Sequence, residues 1–391
     1  MLNTSLSPWP SFTQEEADAV SKVLLSNKVN YWTGTECREF EKEFAAFAGT
    51  QYAVALSNGT LALDVALKAM GIGAGDDVIV TSRTFLASAS CIVTAGANPV
   101  FADVDLNSQN ISAETIKAAL TPNTKAIIVV HLAGMPAEMD GIMDLAKEHD
   151  LWVIEDCAQA HSAKYKGKSV GSIGHVGAWS FCQDKIMTTG GEGGMVTTNN
   201  KELWSKMWSY KDHGKSYDAV YHREHAPGFR WLHESFGTNW RMMEMQAVIG
   251  RIQLKRMPEW TARRQAHAAK LAESLGKFAG IRLIEVADYI EHAQYKFYAF
   301  VKPEHLKEGW TRDRIVSELN ARKVPCYQGS CSEVYLEKAF DNTPWRPKER
   351  LKNAVELGNT SLMFLVHPTL TDDEIAFCKE HIEAVLAQAT A

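Results

Sequence analysis

Short apolar runs rich in β-branched residues alternate, between residues 50 and 200, with longer segments whose apolar residues recur every three or four positions. This alternation is typical of βαβ units around a parallel sheet. The runs predict strands at 52–56, 77–81, 98–104, 125–131, 151–156, 176–181 and 194–198. Residues 60–70 have the spacing of an amphipathic helix. The sequence therefore predicts a mainly parallel sheet, and such sheets bind ligands at the carboxyl ends of their strands.

The pattern changes after residue 200. A stretch rich in Trp, Tyr and His covers 204–240, and we expect its tryptophans in the core or at a subunit interface rather than on a ligand. A long helix is predicted from Arg241 through about Leu275. The rest predicts a smaller α/β unit, with a strand at 297–301 and helices at 311–323 and 371–388. We expect a large domain over 1–255, which includes an N-terminal arm, and a small C-terminal domain over 256–391.

Composition and charge narrow the class of protein. The 391 residues are 46% hydrophobic, and 41 Lys plus Arg stand against 47 Asp plus Glu, a net charge of −6. These values exclude a disordered or collagen-like chain and argue against binding to nucleic acid or a membrane surface. The N-terminus lacks a signal-peptide pattern, no stretch has the ~18 apolar residues of a membrane helix, and the seven cysteines never form CxxC. We expect a cytoplasmic protein with reduced thiols and no metal site.

A candidate phosphate site follows the first predicted strand. In SNGT, residues 57–60, Gly59 permits close approach of the backbone. The amides of a helix N-terminus, together with the Thr60 hydroxyl, suit an anion. A simple helix cap explains the same residues, so both interpretations stay open.

Two carboxylates end a buried apolar strand in LWVIEDCAQAH, residues 151–161. A carboxylate there is costly without a cationic or hydrogen-bonding partner, so it faces a ligand or a helix terminus. Asp156 is accordingly either a helix cap or the group that holds a proton on a heterocyclic nitrogen. Gln159 returns to the same mouth of the sheet if a helical turn begins there.

Lys185 lies between two apolar strands, four residues after Phe181 and five before a glycine cluster that begins at Gly190. A lysine in such surroundings can have a lowered pKa and act as an amine nucleophile that forms a Schiff base. The glycines match neither GxGxxG nor GxxxxGK(S/T), and GIGAGDD at 71–77 follows a helix rather than a strand. The sequence therefore predicts a reactive lysine, and it contains no motif typical of NAD- or ATP-binding folds.

These motifs, in their order along the chain, resemble the DegT/StrS family of PLP-dependent sugar aminotransferases. The resemblance rests on SNGT, Thr84 with Phe85, EDCAQ at 155–159, the series SF…K…GEGG, and GTNWRM at 237–242. It covers residues 15 to 255 and implies an α/β, PLP-dependent transferase fold of type I, similar to aspartate aminotransferase. It also implies a homodimer with active sites at the subunit interface.

The resemblance implies a role for each matching residue. Lys185 would form the internal aldimine with pyridoxal 5'-phosphate (PLP) and later move a proton between the substrate carbon and the cofactor. Asp156 would pair with the pyridinium nitrogen, Gln159 would lie near the phenolic oxygen, and Phe85 would stack on the ring. The phosphate would be held by Gly59, Thr60 and Ser180, with Asn239 reaching across from the neighbouring subunit.

The implied reaction moves an amino group from an amino acid, L-glutamate in much of the family, to the ketone of a nucleotide-linked keto-deoxy sugar. Lys185 favours amino transfer, because the related sugar 3-dehydratases carry His at that position. Two alternatives stay open: a dehydratase-like PLP enzyme without net amino transfer, and a non-catalytic regulatory relative. The intact Lys185, Asp156 and Ser180 argue against the regulatory relative.

The chain also departs from the family's pattern. His175 replaces the acid of GDVG, and TTGGEGG is one glycine longer than usual, so Glu192 is given no role. VPCYQGSCSEVY at 324–335 lacks the histidine that often contacts the sugar nucleotide, and LMFLVHP at 362–368 replaces a Leu-Pro pattern. We expect these changes on the substrate side of the site or near it.

Overall fold

The computed structural model describes residues 6–390. The seven strands predicted between residues 50 and 200 all form, within two residues of their predicted ends. The strands β1 to β14 are, in chain order, Tyr52–Leu56, Asp77–Thr81, Asn98–Ala102, Thr124–Val130, Trp152–Asp156, Lys164–Tyr165, Lys168–Ser169, Val176–Ser180, Gly194–Thr198, Ile281–Leu283, Ile290–Glu291, Phe297–Val301, Cys326–Tyr327 and Ser361–Phe364. The helices α1 to α12 are Gln14–Leu25, Glu36–Ala48, Gly59–Ala69, Ala87–Thr94, Ala113–Ala119, Met139–Glu148, Lys201–Tyr210, Tyr217–Tyr221, Glu244–Leu275, Arg312–Ala321, Lys352–Thr360 and Asp372–Ala389.

Seven strands form one sheet in the order β1-β9-β8-β5-β4-β2-β3. Six of them are parallel, and β9 runs antiparallel between β1 and β8. Their interiors are continuous apolar runs because helices cover both faces of the sheet. The predicted mainly parallel sheet is confirmed, and it brings the carboxyl ends of β1, β8, β5 and β2 to one edge.

A second, antiparallel sheet has the order β10-β12-β14-β13. Helices α9, α10 and α12 cover it with buried residues such as Leu271, Leu319 and Ile382. Because α9 runs from Glu244 to Leu275, the expected domain boundary at residue 255 falls inside one helix. The division into two domains stays a prediction, and its outer limits, residues 1–5 and 391, lie outside the described residues.

The aromatic stretch after residue 200 divides into a buried and an exposed part. Trp208 is buried and donates from Nε1 to the Tyr31 hydroxyl at 3.0 Å, and Trp204 stacks on Tyr52. Trp231 and Phe236, in contrast, are 80% and 97% exposed. The expected core position is confirmed for Trp208, while Trp231 is exposed with its ring against that of Phe229.

The helices and the cysteines bear on the class of protein. Within residues 6–390 no helix combines the length and the apolar composition that crossing a membrane requires. All seven cysteines are free, and five of them are buried. Burial raises the pKa of these thiols, Cys91 and Cys157 among them, so they act as small apolar side chains of the core.

Glu155 holds the loop that precedes β8. Its buried carboxylate accepts hydrogen bonds from the backbone N–H groups of Gly171, Ile173 and Gly174 and lies 3.0 Å from His131 Nε2. His131 Nδ1 accepts from the Ala137 N–H, so both nitrogens of this ring have a partner. Glu155 thus serves the fold, and its neighbour Asp156 is free for the site.

We expect Glu155→Gln to lower the free energy of unfolding by about 3 kcal/mol, because an amide NH₂ would face backbone N–H groups and leave buried donors unpaired. Urea unfolding measures the change. The matched control is Glu291→Gln, since Glu291 pairs with Lys164 at the surface and its loss is expected to cost less than about 1 kcal/mol. Equal losses in the two variants would contradict this role of Glu155.

Candidate active site

Gly59 and Ser180 meet where β1, β8 and β9 come together. Asn58 caps α3 by accepting from the Leu61 N–H at 3.0 Å, so the cap is Asn58, while Thr60 is exposed in the first turn. A Cβ on Gly59 would lie 2.5 Å from Ser180 Cβ, a distance that requires glycine. The first N–H groups of a helix lack intrahelical acceptors and carry its positive end. The turn therefore offers an anion both backbone N–H groups and the Ser180 hydroxyl.

Asp156 ends β5 one strand away from Ser180. It is 7% exposed, its Oδ2 accepts from the Ser88 hydroxyl at 2.8 Å, and its Oδ1 accepts from the Ala158 N–H at 3.1 Å. Burial raises the pKa of this carboxyl, and the two hydrogen bonds oppose that shift. Asp156 thus caps a local turn and also has a fixed orientation at the mouth of the sheet.

Gln159 also returns to this mouth, as expected. Its Oε1 accepts from the Ala133 N–H at 2.8 Å, at a residue whose φ of 57° lies in the left-handed region. Because the carbonyl oxygen of this amide is engaged, its NH₂ group is the end that can donate to a ligand oxygen.

Lys185 lies beyond β8, and its side chain is 18% exposed. Its Nζ is 3.5 Å from Asp184 Oδ1 and 5.5 Å from the centroid of the Tyr295 ring. The Tyr295 hydroxyl donates to Asp184 Oδ2 at 2.5 Å, and the Trp9 indole donates to the Lys185 carbonyl at 2.8 Å. The sequence interpretation missed these partners; an acid directly before Lys185 was the one available signal.

The glycine cluster after Lys185 forms a turn with two residues in the left-handed region. Gly190 and Gly191 have φ values of 85° and 121°, which favour glycine. The Glu192 side chain is exposed, and its backbone carbonyl accepts from Thr189 Oγ1 and Gln246 Nε2. This loop is therefore held through its backbone.

Phe85 is 71% exposed and stands at the end of β2, beside the segment that departs from the family pattern. The Thr84 N–H donates to the Cys331 carbonyl at 3.1 Å, and the Val334 N–H donates to the Ser82 carbonyl at 2.9 Å. The segment 324–335 therefore packs against the residues that carry Phe85, and its place on the substrate side stays a prediction.

His367, in the other departing segment, lies behind Lys185. Its ring stacks on that of Trp9 at a centroid distance of 6.1 Å, and its Nδ1 lies 2.8 Å from Thr369 Oγ1. Burial lowers the pKa of His367 to about 3, so the ring is neutral at physiological pH. Through Trp9 this histidine supports the backbone of Lys185.

The expectation for His175 was wrong. His175 lies directly before β8, at the amino end of the strand, whereas Ser180 ends the strand at the candidate site. Its Nδ1 accepts from the Val153 N–H at 2.9 Å, and its ring packs edge-on against Trp152. Because a residue at the amino end of a strand cannot reach the opposite sheet edge, this departure serves the fold.

The Asn239 side chain is exposed, although the backbone of the next residue forms hydrogen bonds with other parts of the same chain. The Trp240 carbonyl accepts from the Ser57 N–H at 3.0 Å, and the Trp240 N–H donates to the Lys211 carbonyl. GTNWRM therefore lies beside the SNGT turn, with the Asn239 side chain on the surface. Gly59, Ser180, Asp156, Gln159 and Lys185 come together at one sheet edge, whereas Phe85, Thr60 and Asn239 border it as exposed side chains.

Known proteins resemble the chain over almost its whole length. A model of the DegT/DnrJ/EryC1/StrS aminotransferase family matches residues 10–383. The chain belongs to this family. GDP-perosamine synthase from Escherichia coli O157:H7 is 41% identical over 377 residues, which make up 95% of this chain and 96% of that protein.

Two solved structures of similar proteins extend the comparison of this DegT/StrS chain. An aminotransferase from Psychrobacter cryohalolentis has a TM-score of 0.96 at 65% identity, and the match covers 98% of this chain and 99% of that one. DesV from S. venezuelae, solved in complex with a ketimine intermediate, has a TM-score of 0.85 at 31% identity, with 95% and 94% covered. The expected fold of PLP-dependent aminotransferases and the expected enzyme class are confirmed, so the DegT/StrS chain is an aminotransferase.

Proposed function

We propose that this enzyme uses PLP to transfer an amino group from L-glutamate to the keto group of a nucleotide-linked keto-deoxy sugar. The observation that carries the proposal is the meeting of Lys185, Asp156 and the Gly59–Ser180 turn at one sheet edge. Relatives named for amino sugars support the substrate class, among them the GDP-perosamine synthase compared above. Both substrates are small molecules.

The residues at this edge fit the three polar ends of PLP. The turn at Gly59 offers N–H groups to a phosphate, and a Cβ there would push α3 away from Ser180. The buried Asp156 carboxylate suits a protonated ring nitrogen, and the Lys185 amine suits the aldehyde. When bound, PLP supplies an electron sink for the substrate carbon.

Each residue at this edge would then have its own role in cofactor binding or proton transfer. Lys185 would hold the cofactor through Nζ and, once released, would move a proton to and from the substrate carbon. Asp156 would keep a proton on the ring nitrogen, the Gln159 amide would donate to the phenolic oxygen, and Phe85 would pack against the ring. Gly59, Thr60 and Ser180 would bind the phosphate, together with Asn239 of a second copy.

The visible spectrum of the purified protein with PLP tests this proposal. We expect a band of protein-bound PLP that L-glutamate converts to the spectrum of the amine form, with release of 2-oxoglutarate. The loaded enzyme is next offered GDP-, UDP- and dTDP-linked keto sugars, and the sugar that restores the first band is the acceptor. A band that no amino acid changes would favour the dehydratase-like alternative, and failure to bind PLP would overturn the proposal.

The homodimer has a test of its own. If Asn239 acts across the interface, mixing Lys185→Ala chains with Asn239→Ala chains creates hybrids in which one site has both residues. Neither variant alone is expected to be active, and re-equilibrated mixtures are expected to recover about a quarter of the wild-type activity. Absence of any recovery in a mixture that sedimentation shows to be dimeric would contradict the shared site.

A further inference from the structure

A second lysine lies beside Lys185. Lys296 directly precedes β12, and its Nζ is 4.7 Å from the centroid of the Tyr295 ring. The Lys185 Nζ lies 5.5 Å from the same centroid. Lys296 is half-buried. Both amines therefore lie within 5.5 Å of the centroid of one tyrosine ring.

The positive charge around these lysines exceeds the negative charge. Arg264 of α9 is 1% exposed and donates from Nη1 to the Tyr295 carbonyl at 3.4 Å, which belongs to the peptide group leading into Lys296. Its Nε and Nη2 have no hydrogen-bond partner among residues 6–390. Asp184 is the carboxylate nearby, and both of its oxygens are engaged by Lys185 and Tyr295.

Neither Lys296 nor Arg264 forms an ion pair within the described part of the chain, although the exposed lysines of the surface often do. Cations withdrawn from water without a counter-charge are costly, so such a group favours an anion that comes from outside the chain. Burial lowers the pKa of Lys296 to about 8, the charges of Arg264 and Lys185 add to that shift, and the nearby Asp184 carboxylate opposes it.

We propose that Lys296 binds a carboxylate of a substrate that reacts at Lys185, with Arg264 reinforcing the contact through its charge from behind. A carboxylate supplies a negative charge and two acceptor oxygens, and an ammonium donates to it in a charge-assisted hydrogen bond. The inference rests on the proposed function, because it assigns a group on the amino donor or the sugar acceptor to a particular residue. Lys296 is a binding residue in this proposal, and Lys185 remains the reacting amine.

A probe without an amine separates binding from amino transfer. We would titrate the PLP-loaded enzyme with glutarate, by calorimetry, in the wild type and in Lys296→Met, Lys296→Arg and Lys125→Met. Lys125 is an exposed lysine at the amino end of β4, the opposite edge of the sheet, so it controls for the change in net charge. We expect Lys296→Met to weaken glutarate binding about tenfold or more, Lys296→Arg to restore most of it, and Lys125→Met to match the wild type. Equal affinities for the wild type and Lys296→Met would overturn the proposal.

The two half-reactions then identify the source of the carboxylate. If it belongs to the donor, Lys296→Met needs about tenfold more L-glutamate for half-maximal conversion of the cofactor, and the acceptor half-reaction is unchanged. If it belongs to the acceptor, conversion by L-glutamate is unchanged, and the variant loses its preference for keto sugars that carry a carboxylate over neutral ones. A variant with both half-reactions unchanged would overturn the proposal. A wild type that binds glutarate but transfers no amino group would contradict the proposed function alone.

Discussion

The Lys185→Ala variant is expected to lose amino transfer by at least about a thousandfold and to retain no covalently bound PLP. Lys185 lies at the meeting point of the Gly59–Ser180 turn and Asp156, and alanine removes both the covalent attachment and the group that moves the proton. Two measurements check this: the rate of amino transfer, and the mass of the peptide that contains residue 185 after borohydride reduction of the PLP-loaded protein.

Two further variants separate chemistry from charge. Lys185→Arg keeps a cation beside Asp184, but a guanidinium stays protonated and is no nucleophile, so it is expected to be as inactive as Lys185→Ala. Lys125→Ala removes a lysine at the opposite edge of the sheet and is expected to match the wild type. If reduction attached PLP to Lys296 instead of Lys185 in the wild type, the assignment of the reacting amine would be wrong.

The sheet could be predicted from the sequence because its strands are buried on both faces and read as continuous apolar runs. The strands at 52–56, 77–81 and 194–198 have their predicted ends. The strand that begins at Asn98 was predicted two residues too long, since Ala102 is its last paired residue although an apolar position, Val104, follows. A pattern of apolar residues indicates which positions are buried, and buried positions can follow the last hydrogen-bonded residue of a strand. The end of a strand is therefore less predictable than its core.

The partners of the site residues could not be predicted, because contacts between distant positions leave no local pattern. Ser88 and Asp156 are 68 positions apart, and Trp9 and Lys185 are 176 apart. The wrong expectation for His175 has a related origin. The motif shows that His175 is close to Ser180 along the chain, but the two residues lie at opposite ends of β8 and therefore at opposite edges of the sheet. The spacing of the family's motifs identified residues that lie at one edge of the sheet. It gave no information on the side chains that contact those residues.

The Asp156→Asn variant is expected to lose amino transfer by a factor of about a hundred to a thousand, while the protein stays folded and keeps PLP on Lys185. The amide is close to the carboxylate in size, and its oxygen can still accept from Ser88 or Ala158. What it lacks is the negative charge that keeps a proton on the ring nitrogen. Without that proton the ring is a weaker electron sink, so proton removal from the substrate carbon becomes slower.

The rate of the glutamate half-reaction, measured in a single turnover, reports this loss directly, and Asp156→Glu is expected to recover part of it because the charge returns at a displaced position. Asp103→Asn is the matched control. Its carboxylate accepts from the N–H groups of Asn353 and Ala354 at the start of α11 and so supports the fold near another strand end, without contact to Lys185 or Asp156. We expect this control to lower stability and to leave the half-reaction rate unchanged. If both variants slowed the half-reaction equally, Asp156 would act through the fold, and the ring nitrogen would need another partner.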